Sequence, residues 1–96
     1  MRTRARKDGN HQAIVDGLRK AGVKVRVLNE KDLPDLICGW RMNLFLLEIK
    51  DGSRKPSERK LRPGQQKFAD EWAGYPVCKV ESLEQAFAAL GIRVTT

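Results

Sequence analysis

The chain is poor in the residues that build zinc sites and disulfides. It has one histidine, His11, and two cysteines, Cys38 and Cys78, with no Cys-x-x-Cys pair. The usual tetrahedral zinc ligands are therefore lacking. Both cysteines sit in apolar, strand-like contexts and are expected as buried free thiols rather than as a bridge. No apolar run approaches the ~20 residues that cross a bilayer. No apolar stretch follows the basic residues Arg2, Arg4, Arg6 and Lys7, so no signal peptide is expected and the cytoplasm is the predicted compartment. Internal repeats and long low-complexity tracts are also missing. Acidic residues are in deficit: 12 against 19 Lys and Arg, a formal charge of +7. That balance suits a polyanionic partner such as nucleic acid somewhat better than a merely well-solvated surface.

What is present is enough for one small folded domain. An apolar fraction of 41% is too high for a disordered chain of this charge. Residues 1–9 read as a flexible basic arm and residues 10–96 as a single domain. A helix is predicted over 10–22, with Asn10 as N-cap, Ile14 and Leu18 as an i, i+4 pair, and Gly22 at its end. Val23, Val25 and Val27 alternate with Lys24 and Arg26, which predicts a strand with one wet face. Strands are then predicted from Asp35 to Trp40 and from Leu44 to Lys50, joined by a turn at Arg41, Met42 and Asn43. The run Leu44-Phe45-Leu46-Leu47 suits a central strand buried on both faces. A loop over 52–62 leads to Pro63, a good helix start, and a helix to about Ala73. Val77 to Val80 reads as a strand. Ser82 and Gln85 form a capping-box pattern before a last helix over 83–90, ended by Gly91; Ile92 and Val94 would add an edge strand. The order is α-β-β-β-α-β-α, most economically one sheet with helices packed on it.

The chemistry concentrates around Glu48-Ile49-Lys50. Residues two apart on a strand share a face, so Glu48 and Lys50 project together at the end of an apolar run. Strands often end in charges, so the pair carries little alone. Asp35 gives it weight. The tight turn makes the two strands antiparallel and sets the start of the first beside the end of the second. Asp35 and Glu48 can then meet although 12 residues lie between them. Two adjacent carboxylates repel, and a divalent cation relieves that repulsion; Mg²⁺ takes oxygen ligands and retains waters. The Ile49 carbonyl would supply a third oxygen. A cation so held acidifies water and stabilises charge on a phosphate, and Lys50 would hold water or phosphate beside it. Basic residues follow at once: Arg54, Lys55, Arg59, Lys60 and Arg62 are predicted to neutralise DNA phosphates without reading sequence. Gln65, Phe68 and Trp72 share a helix face, and a polar side chain facing inward needs a partner, which the site would supply; the other reading is a helix-start glutamine bonded to backbone. Gln66 is the alternative. Phe68 and Trp72 are expected in the core; Trp40 and Met42 flank the turn without a clear assignment.

Pro34-Asp35 followed by Glu48-Ile49-Lys50 resembles the PD-(D/E)xK nuclease superfamily. Within it, Asn10 to Gly22, Pro34 to Gly39, Glu48 to Gly52 and Leu61 to Gln65 are similar to the VRR-NUC (virus-type replication-repair nuclease) family. The resemblance implies an α/β restriction-endonuclease-like core, α-β-β-β-α-β, with a mixed sheet flanked by helices and an extra C-terminal helix here. It implies a DNA endonuclease using Mg²⁺ or Mn²⁺, with Asp35, Glu48, Lys50 and Gln65 as catalytic residues and Asp35, Glu48 and Ile49 at the metal. It further implies a homodimer acting on branched, flapped or Holliday-junction DNA, in the cytoplasm of a bacterial or phage-infected host cell.

The chain departs from the family at one place. Many relatives carry an acid in the first helix where Ala13 stands here, with Gln12 adjacent. The departure favours the rival expectation of a nucleic-acid-binding module that kept the fold without efficient cleavage. A third reading makes the chain a basic subunit that docks on a larger protein through its arm and hairpin.

Overall fold

The computed structural model describes residues 9–93. Its elements follow the order α1 (His11–Lys20), β1 (Lys24–Val27), β2 (Leu36–Trp40), β3 (Asn43–Ile49), a short 3-10 turn (Pro56–Glu58), α2 (Pro63–Glu71), β4 (Val77–Val80) and α3 (Leu83–Leu90). The four strands form one mixed sheet in the order β1-β2-β3-β4, antiparallel except for the β3–β4 pair. The protein is thus a small α/β domain with three α-helices among the described residues. None of these helices is long and apolar enough to cross a membrane.

Register places the core. Val25 faces Cys38, Leu36 faces Leu47, and Ile49 faces Val80, so these side chains line one face of the sheet. Ile14, Val15 and Leu18 from α1 and Ala86 and Leu90 from α3 close over them. Each fully buried large aliphatic contributes about 1.5–3 kcal/mol. Gly17 lets the two helices meet: a Cβ there would run into the Leu83 side chain. Cys38 is fully buried and free, and its thiol is pushed up to about 11 by burial; Cys78, also free, is half-buried.

The opposite face is covered unevenly, because α2 reaches only the end of β3 nearest Glu48. The apolar run in β3 is therefore not sealed on both sides. Leu44 is 66% exposed, Phe45 and Leu46 are half-buried, and full burial begins at Leu47. Trp72 is likewise exposed rather than core; it stacks on Phe68 and meets Tyr75 edge-on.

Several boundaries differ from expectation for local reasons. Asn43 pairs with Trp40, so the hairpin turn holds only Arg41 and Met42. Both take positive φ, 48° and 70°, as a two-residue hairpin turn requires. Arg41 lies over the half-buried Trp40 ring and Met42 is wholly exposed. Gln85 accepts from the Glu81 N–H at 2.8 Å while Ser82 Oγ caps the Gln85 N–H, a box displaced by one residue. Ile92 packs against the core outside any strand. Val94 and arm residues 1–8 lie outside the described residues.

Candidate active site

Leu36 pairs with Leu47, which puts Asp35 opposite Glu48 on the face away from α1 and α3. Asp35 stands just before β2. Its Oδ2 accepts the Ile49 N–H at 2.7 Å, taking the place of the strand partner that β2 no longer provides. The N–H and C=O of one strand residue point to the same edge, so the Ile49 carbonyl is directed to the Asp35 side as well. The next peptide points the other way: the Lys50 N–H donates to the Val80 carbonyl at 2.9 Å.

Glu48, Lys50 and Gln65 are 7%, 8% and 8% exposed. Buried polar groups of this kind are tolerated when they satisfy one another. Gln65 does this for both neighbours. Its Oε1 accepts from Lys50 Nζ at 3.0 Å and from the Arg62 N–H at 2.8 Å, while its Nε2 donates to Glu48 Oε2 at 3.1 Å. The two sequence readings of Gln65, helix-start capping and site partner, therefore hold together. Gln66, the alternative, is exposed and pairs with Asp70.

The carboxyl of Glu48 is pushed up to about 8. Burial is the largest cause, then the negative charge of Asp35 and a hydrogen bond between the two carboxyls; Lys50 and Arg62 pull it down. Facing carboxyls that retain a proton near neutrality are short of positive charge, which is what a hard divalent cation brings. The donors fit such an ion: two carboxylates and one peptide carbonyl, all oxygen. Among the described residues no cluster of three or more His, Cys, Asp or Glu is arranged to hold a metal, so other ligands would be water or phosphate. Ala13 is exposed and lines no part of the site.

These groups sit in an open cavity of about 350 Å³. Arg54, Lys60 and Arg62 line one wall of it. Two of the basic residues expected there stand elsewhere. Lys55 is exposed and outside the lining. Arg59 turns to Glu81, with Nη1 to Oε1 at 3.0 Å, and its carbonyl accepts from Lys79 Nζ at 3.2 Å. Its guanidinium ties the loop to the end of β4.

Sequence reasoning missed a second role for Asn10. The expected side-chain cap does not form; instead the Asn10 amide nitrogen donates to the carbonyls of Lys50, at 3.2 Å, and Glu81, at 2.9 Å. It thereby joins α1 to the ends of the parallel strands behind the site. Only the polarity of Asn10 hinted at this, and a cap explained it equally well. Compared with protein-family models, curated proteins and solved structures, the chain matches none.

Proposed function

We propose that this protein is a metal-dependent DNA nuclease with a restriction-endonuclease-like core of the VRR-NUC type. The observation that carries the reading is the single hydrogen-bonded unit Glu48–Gln65–Lys50, set against Asp35 in a cavity with a basic wall. Asp35, Glu48 and the Ile49 carbonyl would hold Mg²⁺ or Mn²⁺, which when bound supplies Lewis acidity to the phosphate and acidifies water. Lys50, fixed by Gln65, holds the attacking water or the scissile phosphate. Arg54, Lys60 and Arg62 neutralise the flanking backbone. By resemblance the substrate is branched, flapped or Holliday-junction DNA, cut by a homodimer whose two sites serve two strands.

Cleavage of linear, flapped, gapped and four-way DNA with Mg²⁺, Mn²⁺ or a chelator tests this. Metal-dependent cutting lost in Lys50→Ala supports it; no cutting of any substrate by the intact protein overturns it. The absence of a third acidic ligand among the described residues, with Ala13 out of reach, favours a second reading. In that reading the protein binds DNA and cleaves poorly, and the same panel would give tight binding with no product.

A further inference from the structure

The two walls of the cavity differ in chemistry. Besides the segment that carries Arg54, Ser57, Glu58, Lys60 and Arg62, the lining includes the loop between β1 and β2, which contributes Leu28, Asn29, Glu30 and Leu33. These four residues include no cation; Lys31 of the same loop lies outside the lining. Leu28 and Leu33 are half-buried and give it apolar surface, while Asn29 and Glu30 are exposed and offer an amide and a carboxylate. A site for phosphate alone has no use for two leucines.

The wall is held in place. The Leu28 N–H donates to the Asp35 carbonyl at 2.8 Å, and the Leu33 N–H closes a turn on the Glu30 carbonyl at 3.3 Å. Asp32 takes a positive φ of 68°, unusual for a side chain other than glycine. Its carboxylate abuts Gly64 so closely that a Cβ there would collide with it. Gly64 lies in the first turn of α2, where the helix dipole favours an anion. The loop is therefore fixed to Asp35 at one end and to the helix carrying Gln65 at the other.

We propose that this wall is a nucleoside subsite, and that the cavity takes one unpaired nucleotide beside the reacting phosphate. The inference rests on the nuclease reading and deepens it. Leu28 and Leu33 pack on sugar and base, and Asn29 and Glu30 offer donor and acceptors to a free base edge. A volume of about 350 Å³ lies at the small end for ligand pockets. It suits a single nucleotide rather than a stacked pair. In a duplex that base edge is occupied by its pairing partner. Single strands, flaps and frayed ends leave it free.

The test is methyl NMR of the full-length protein in Mg²⁺, titrated with thymidine 5′-monophosphate or with inorganic phosphate. The nucleotide is expected to shift the Leu28 and Leu33 methyl signals, and phosphate at the same concentration to leave them in place. Equal shifts with both, or none with either, overturn the subsite. Leu33→Ala should lower kcat/KM for single-stranded relative to duplex DNA about tenfold, through KM, with Leu33→Met recovering most of the loss. An unchanged ratio in a folded Leu33→Ala protein also overturns it. Cleavage by the intact protein is measured alongside. A protein that cuts DNA while its leucines ignore the nucleotide loses this inference alone; one that cuts nothing loses the nuclease reading, whatever the leucines do.

Discussion

Lys50 Nζ lies 3.0 Å from Gln65 Oε1, and both side chains are buried. The glutamine amide is therefore the lysine's tether, and the other end of the same amide holds Glu48. Gln65→Ala strands a buried ammonium and a buried carboxyl at once. We expect a loss of about 1–3 kcal/mol in urea unfolding, from the unsatisfied groups, together with reduced cleavage. Gln65→Leu should cost no less in stability although it fills the space. A Gln65→Ala protein with both properties intact would show the tether to be dispensable.

Lys50→Ala is expected to lower cleavage by about 10²-fold or more, because a positioned electrostatic or proton-transfer group is lost from the transition state. DNA affinity should change little, since Lys50 is one of 19 basic side chains. Asp35→Asn should also abolish cleavage, but high Mn²⁺ should partly restore it, because the defect lies in metal retention. Single-turnover rates and filter binding on one substrate separate the two effects. Wild-type rates in Lys50→Ala would remove it from the chemistry.

Glu48 makes stability depend on pH in a definite direction. Its carboxyl is raised to about 8, above the ordinary 4.5, so the folded metal-free chain holds a proton that the unfolded chain has released. Between those values stability falls as pH rises. In chelator, Tm should drop from pH 5 to pH 8.5, and Glu48→Gln should flatten that drop. Added Mn²⁺ should raise Tm most at the alkaline end, where the carboxylates are ionised. A metal-free Tm that climbs over this range would contradict the assignment.

The basic residues should divide into two groups. Arg54→Ala, Lys60→Ala and Arg62→Ala should each weaken duplex binding and reduce the salt slope by about one, because each neutralised phosphate releases counterion. Arg59→Ala should leave the slope nearly unchanged and instead lower stability, since its guanidinium is engaged with Glu81. Anisotropy titrations over a range of salt, with thermal melts, distinguish the groups. An Arg59→Ala slope matching that of Arg62→Ala would place Arg59 on the DNA.

The order of elements and the meeting of Asp35 with Glu48 were legible because they follow from strand period and one tight turn. The reach of α2 over the sheet was not. Leu44 and Trp72 look like core residues in sequence, and only the placement of a nine-residue helix leaves them exposed. Arg59 and Arg62 are indistinguishable by composition; their separation depends on Glu81, 22 residues from Arg59. The loop over 28–33 has no period and no motif, so its role as a wall arises from fixation at Asp35 and Gly64. Asn10 stands at the N-cap position but bonds elsewhere, because an N-cap and a tertiary clasp ask for the same side chain.

The parallel seam between β3 and β4 also sets an order of assembly. The Lys50 N–H finds its acceptor on Val80, and Asn10 bridges to Glu81. A chain emerging from the ribosome through the end of α2 already carries every side chain of the proposed site but neither of these anchors. Parallel pairing needs the whole crossover first and is among the slower steps of folding. The backbone around Lys50 and the start of α1 are therefore locked late, when β4 docks. A change confined to β4 would thus loosen Lys50 through its backbone N–H without touching its side chain.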